Sequence, residues 1–180
     1  MKSGLEIERK FLVEMPDLKK LELLKLISIT QTYLIDGENG SQRRVRRISC
    51  DDNVSMTYTE KIFVSPVIRE ESEKFINSDE YSSLLKEAKD TAPVEKKRAV
   101  FLYQNQHFEL DMYPFSQKYA ILELELESPE QKIYFPTYVN VIKEVSGNKL
   151  YSNINLANAG KFPENYSTPK KYRILLTTGL

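Results

Sequence analysis

The stretch Leu5-Glu6-Ile7-Glu8-Arg9-Lys10-Phe11-Leu12-Val13 decides the fold, because charged and apolar residues alternate in it with the period of a β-strand. As a strand it sets Glu6, Glu8 and Lys10 on one face. The other face carries Leu5, Ile7, Phe11 and Val13, an apolar surface suited to packing under helices, with Arg9 as its one charged interruption. Two carboxylates held side by side repel, so the charged face implies a cation, and a hard ion such as Mg²⁺ prefers carboxylate oxygen. A strand with one solvated face shows the same alternation, so recurrence along the chain decides between the two readings.

The 180 residues are 41% hydrophobic and 29% charged, the balance of one globular domain with a proper core. The 26 basic residues cancel the 26 acidic ones, so the excess positive charge of a general nucleic-acid binder is missing and nucleic acid is disfavoured as a partner. With Cys50 and His107 alone, neither an internal disulfide nor the usual His/Cys zinc site is available. Any metal therefore sits on oxygen. No apolar run near the N-terminus is long enough for a signal peptide or a span, which predicts a cytoplasmic protein with no membrane partner.

Along the chain, Met15-Pro16-Asp17 breaks the first strand, and leucines and lysines from Leu18 to Ile27 predict a short helix. Thr30 to Ile35 and Gln42 to Ser49 read as a hairpin about the turn Asp36-Gly37-Glu38-Asn39-Gly40. Strands follow over Val54 to Val64 and Val67 to Ile76. A helix from Ser78 to about Asp90, capped by Ser78 or Asp79, precedes strands at Val94 to Val100, Phe108 to Met112 and Ile121 to Glu127. After Ser128-Pro129-Glu130 short helical pieces are expected. Residues 1–160 read as the domain and 161–180 as a C-terminal extension of unknown role.

The inward parities of these strands sort by sign. Glu6/Glu8, Glu109/Asp111 and Glu123/Glu125 are acidic, Arg44/Arg46, Lys61 and Lys96/Arg98 are basic, and Arg69 with Glu71/Glu73 is mixed. Solvated faces would intermix the signs. About eight such strands tend to close into a barrel whose apolar outside is covered by helices and whose charged faces turn inward. A charged interior is tolerable when it is wet and takes up a polyanion with its metal. A phosphate chain suits it, gripped by arginine forks and lysines and bridged to the acidic wall by Mg²⁺ or Mn²⁺.

Glu6-Ile7-Glu8-Arg9-Lys10 also resembles the ExExK signature of the CYTH superfamily, the triphosphate tunnel metalloenzymes. Arg44-Val45-Arg46 is similar to that family's RxR strand, Lys61 to its tunnel lysine, and Arg69 with Glu71-Ser72-Glu73 to its RxExE strand. Val94 to Arg98 resembles its VEKxR segment, Phe108 to Asp111 its FELD strand, and Glu123 to Ser128 its EIELES run. Glu144 to Gly147 and Tyr151-Ser152-Asn153 resemble its late EVTG and YxN elements. Glu60 and Leu122 depart from the family pattern.

The resemblance implies an α+β fold, an eight-stranded antiparallel β tunnel barrel with flanking helices that binds and cleaves a small-molecule triphosphate with a divalent metal. It implies Glu6, Glu8, Glu123, Glu125 and Asp111 on the metal side, and Arg44, Arg46, Lys61, Lys96, Arg98, Arg69 and Lys149 on the phosphates. Lys10 is then placed to orient or activate the attacking water, with Tyr33 assisting. Inorganic tripolyphosphate is the leading substrate and a nucleoside triphosphate is next. A class IV adenylyl cyclase, a thiamine triphosphatase and a non-catalytic polyphosphate- or nucleotide-binding module stay open, as does a homodimer.

Overall fold

A computed structural model describes residues 2–164. Among the described residues nine strands run in chain order: β1 Lys2–Glu14, β2 Leu23–Tyr33, β3 Gln42–Cys50, β4 Asn53–Phe63, β5 Ile68–Phe75, β6 Val94–Tyr103, β7 Gln106–Met112, β8 Tyr119–Leu126 and β9 Val141–Glu144. Two one- to two-turn helices accompany them, α1 Ser78–Leu84 and α2 Asn153–Ala159. Eight strands close into an antiparallel barrel in the order β1-β5-β4-β3-β2-β6-β7-β8, and β8 returns to β1. Closure depends on β1. One edge of it pairs with β8 over Ile7 to Glu14, and the other pairs with β5 over Lys2 to Ile7 and then with β9 over Phe11 to Val13.

The hairpin β2/β3 and the tight turn between β3 and β4 form where the turn residues stand, with Cys50 opposite Asn53 and Asp51 at φ 50°. The helix expected from Leu18 to Ile27 does not form. A 3-10 turn occupies Leu18–Lys20, and β2 begins at Leu23, because residues from Leu23 to Gln31 are needed as the partner of β6. Pairing with a neighbouring strand overrides leucine's helical preference. The helix expected to reach Asp90 ends as α1 at Leu84 with one further 3-10 turn, and its cap is Asn77, in a reciprocal capping box with Glu80.

The apolar outside of the barrel is covered in two ways. Phe11, Phe101, Phe108, Leu110, Leu122 and Leu124 are buried under the irregular segment that carries Ile133, Phe135, Tyr138 and Val139. Phe135 meets Phe11 edge-on at 4.9 Å. Helices were expected on this side, but a segment rich in Pro and aromatic residues does the covering, each large side chain contributing roughly 1.5–3 kcal/mol of burial. On β3 and β4 the cover is helical, with Tyr81 and Leu84 of α1 against Leu34, Val45 and Ile76. One end of the barrel is plugged. There Leu12, Tyr33, Val94, Tyr113 and Ile121 pack against Tyr151 and against Leu156 of α2.

Behind β9 the chain is locked onto β1. Lys10 N donates to Ser146 Oγ at 2.9 Å, Val145 N donates to Lys10 O at 2.8 Å, and Arg9 grips Glu144 with Nε at 2.8 Å and Nη2 at 2.5 Å. The charge on the outer face of β1 is thus satisfied by the late segment. Gly147, at φ 68°, lets the backbone pass so close to Pro66 that a Cβ would lie 2.6 Å from the proline ring. Residues 165–180 of the expected extension lie outside the described residues.

Candidate active site

Period-two alternation turns one residue in two of each strand into the barrel, and the inward set is the charged one. Arg44, Lys61, Arg69, Lys96, Arg98, Glu8, Asp111 and Glu123 are all buried. Such charges are tolerable only when paired, and they are paired into a continuous network. Arg69 Nε donates to Glu6 Oε2 at 2.6 Å and its Nη2 to Glu8, while Lys61 Nζ donates to Glu6 Oε2 at 2.9 Å and also pairs with Glu71. Lys10 Nζ lies between Glu8 Oε1 at 2.7 Å and Glu123 Oε1 at 2.5 Å. Arg98 holds Asp111 with Nε and Nη2, and Glu123 with Nη2 at 2.7 Å. Lys96 pairs with Asp111 and lies 3.5 Å from Asn153 Oδ1, which also accepts from Tyr113 OH at 2.5 Å.

The electrostatics follow from this packing. Burial opposes the charged form of Glu123, but Lys10, Arg98 and Lys96 outweigh it and hold the carboxyl well below its usual range. Burial likewise opposes Lys10, yet Glu123 and Glu8 hold it above the ordinary lysine value, so it stands in the barrel as a firm cation. Lys61 is pushed down to about 8 by burial and by the guanidiniums of Arg44 and Arg69, and Lys96 down to about 8 by burial and by Arg98. Arg46 is lowered to about 10 by burial and by Arg44 and Arg98. Glu6 and Glu71 form a carboxyl pair in which Glu71 is raised, by burial and by Glu6.

Two arginines stand apart from this tight pairing. Arg44 reaches Glu71 only at 3.5 Å, and its Nε has no hydrogen-bond partner among the described residues. Arg46 reaches Glu73 only at 3.7 Å, and its Nε donates to Gln31 Oε1 at 2.9 Å. Both lie on β3, which is four strands from β8 in either direction around the barrel. The wall most open to an anion therefore faces the acidic wall across the lumen.

Of the expected site residues, the barrel brings together Glu6, Glu8, Lys10, Arg44, Arg46, Lys61, Arg69, Lys96, Arg98, Asp111 and Glu123. Glu125 stands opposite Glu8 in the strand register but is exposed, and it has no ion-pair partner among the described residues. Tyr33 is buried in the apolar plug with Leu12 and Tyr113. Lys149 is not brought to the charged wall: it is exposed on the 3-10 turn Lys149–Tyr151, because that turn lies outside the strand pattern that points side chains inward. Glu60 turns outward to Ser41, and Lys61 keeps the inward register opposite Gln42. Sequence reasoning gave no site role to Gln31, Thr57 or Asn153, all buried and polar, although Asn153 stands in the YxN element. The inward parity of Gln31 with Tyr33 was the signal for the first.

The donor chemistry fits a hard divalent ion. Among the described residues Glu8 Oε1 and Glu71 Oε2 are buried without a hydrogen bond, although lysine ammonium groups lie beside both, and Glu125 adds a carboxylate without an ion-pair partner across from Glu8. Among the described residues no three such groups already stand at ligand spacing, because lysines and arginines take up the inner carboxylates.

The model of the CYTH domain matches residues 4–137. A solved structure described as the hypothetical protein NE1496 is 26% identical, covering 88% of this chain and 99% of that one with a TM-score of 0.53. Another, described as the inorganic triphosphatase NE1496, is 27% identical over 84% and 93% of the two chains with a TM-score of 0.51. The PH1819 protein of Pyrococcus horikoshii OT3 shares the fold at 19% identity, with a TM-score of 0.54 over 69% and 80%. No curated protein matches the chain.

Proposed function

The chain belongs to the CYTH domain family, and from that premise we propose that it hydrolyses a triphosphate, inorganic tripolyphosphate first, with the help of Mg²⁺ or Mn²⁺. The observation that carries this reading is the looseness of Arg44 and Arg46. A buried guanidinium, Arg44, and a half-buried one, Arg46, whose nearest carboxylates lie at 3.5 and 3.7 Å, keep donors for an anion inside a barrel whose other cations are tightly matched. The similarity to a protein described as an inorganic triphosphatase supports the choice of substrate.

In this reading Arg44, Arg46, Lys61, Lys96, Arg98 and Arg69 bind the phosphoryl oxygens and compensate the charge that develops on them. Glu6, Glu8 and Glu125, backed by Glu123 and Asp111, would hold the divalent ion. When bound, that ion supplies Lewis-acid polarisation of the phosphoryl oxygens. Lys10 is a cation clamped between Glu8 and Glu123. Two of its three N–H donors face those carboxylates, and the third is left to orient the attacking water by donating to the water oxygen. Tyr33 acts from the plug by fixing the end of the chamber next to Arg44, its register neighbour.

A panel of tripolyphosphate, ATP, GTP and thiamine triphosphate with Mg²⁺ or Mn²⁺ tests the proposal, reading orthophosphate, pyrophosphate and cyclic nucleotide together. Orthophosphate release, fastest from tripolyphosphate, is the expected result. Cyclic nucleotide with pyrophosphate would replace hydrolysis by cyclisation, and tight binding with no turnover on any substrate would make the barrel a binding module.

A further inference from the structure

One row of the barrel wall sets two neutral polar side chains on either side of an arginine. Gln31 on β2, Arg46 on β3 and Thr57 on β4 are successive register partners, and Gln31 and Thr57 are 0% and 2% exposed. Because Arg46 Nε can only donate, the 2.9 Å contact identifies the Gln31 atom facing it as Oε1, which leaves Nε2 pointing elsewhere. Among the described residues Gln31 Nε2 has no hydrogen-bond partner, nor has Thr57 Oγ1, nor Arg44 Nε, two residues along β3. A buried polar atom without a partner is costly, and here three cluster on adjacent strands.

What could complete them is restricted by what the row lacks. The Gln31 carbonyl is already spent on Arg46, and Glu73, the nearby carboxylate, accepts from Thr59 Oγ1 at 2.9 Å and faces Arg46 at 3.7 Å. The unsatisfied atoms are therefore the Gln31 amide, the Arg44 Nε–H and a hydroxyl free to rotate into donation. Such a set suits a group that only accepts. A terminal phosphoryl group brings three non-bridging oxygens to these three donors and an internal one only two.

We propose that Gln31 and Thr57, together with Arg44 and Arg46, form the seat of a terminal, unesterified phosphoryl group, at the wall opposite Glu8 and Glu123. β2 and β3 lie four strands from β1 and β8 respectively, so this seat is the point of the chamber farthest around from Glu8 and Glu123. The inference rests on the triphosphate reading above and deepens it: Gln31 and Thr57 distinguish chain ends from chain interiors, while the arginines supply charge to either.

The test is calorimetric binding of linear tripolyphosphate and of cyclic trimetaphosphate, which has no terminal phosphoryl group, to the full chain and its variants. Thr57→Val keeps the shape and removes the hydroxyl, Thr57→Ser returns it, and Gln31→Glu keeps the oxygen for Arg46 while replacing the free donor by an acceptor. Thr57→Val and Gln31→Glu are expected to weaken tripolyphosphate about tenfold or more, the worth of a hydrogen bond to a charged group, with Thr57→Ser close to the parent and any trimetaphosphate binding insensitive to Thr57→Val. Melting temperatures identify a variant that has not folded, and the isosteric Thr57→Val decides if Gln31→Glu fails. Parental tripolyphosphate affinity in folded Thr57→Val would mean that water alone completes the row, and equal losses for both anions would overturn the terminal assignment. A parent that binds no tripolyphosphate would instead remove the triphosphate reading itself, and this inference with it.

Discussion

Arg98 holds Asp111 by two parallel hydrogen bonds, Nε to Oδ1 at 2.6 Å and Nη2 to Oδ2 at 2.7 Å, with the carboxylate side chain fully buried. Asp111 also takes the ammonium of Lys96, so one carboxylate on β7 balances two cations on β6. Removing it leaves both cations buried without their strongest partner.

Asp111→Ala is therefore expected to destabilise the unliganded protein by roughly 3–5 kcal/mol, the cost of breaking a buried ion pair from one side. Urea unfolding measures it. Tripolyphosphate should recover part of the loss, because an anion that binds only the folded barrel stabilises it by mass action. A loss below about 1 kcal/mol would mean that water reaches Lys96 and Arg98 freely.

Arg44→Ala and Arg46→Ala should each weaken tripolyphosphate binding by about 1.5–3 kcal/mol, the range for hydrogen bonds to charged groups. Folding stability should change less than for Asp111→Ala, since their own ion pairs are long, at 3.5 and 3.7 Å. Unchanged affinity in both variants would remove β3 from the binding wall.

Replacing Glu6 and Glu8 together by Gln separates binding from turnover. Hydrolysis should fall at least a hundredfold, ~3 kcal/mol of lost transition-state stabilisation, and addition of a chelator should silence the parent to the same degree. Tripolyphosphate binding should survive, since the basic wall is untouched and two carboxylates that repel the anion have gone. A double variant with the parental rate would take β1 out of the chemistry.

Affinity should also depend on pH through Lys61 and Lys96, each pushed down to about 8. In the unfolded chain a lysine titrates near 10.4, at about its free value. Between about pH 8 and 10.4 the unfolded chain thus holds protons that the folded barrel has lost, and the stability contributed by these two groups rises with pH across that window. Anion binding runs the other way. Above pH 8 the wall loses positive charge, and tripolyphosphate should bind roughly tenfold more weakly at pH 9.5 than at pH 7. Calorimetry at the two values checks this, and equal affinity would mean that neither lysine contributes its charge to the bound anion.

What the sequence determined by itself was the alternation. The faces of Glu6/Glu8/Lys10, Arg44/Arg46, Lys96/Arg98 and Glu109/Asp111 are written in spacing of two, a local property of an extended backbone, and the sorting of their signs already implied a charged lumen. Turn residues such as Met15-Pro16-Asp17 and Asp36-Gly37-Glu38-Asn39-Gly40 marked strand boundaries for the same local reason. The tertiary structure decided what depends on closure and depth. Leu23 to Ile27 is a strand because β6 requires a partner there, against the local leucine pattern. Glu123 and Glu125 share a parity, yet one is buried between Lys10 and Arg98 and the other is exposed, because the stagger of the strands sets how far each position lies along the barrel. Lys149 falls outside, Tyr33 enters the plug, and the unsatisfied row of Gln31 and Thr57 exists only because β2, β3 and β4 lie side by side. Alternation is encoded by neighbours in the chain, whereas a partner across the lumen is chosen by registers that no local pattern specifies.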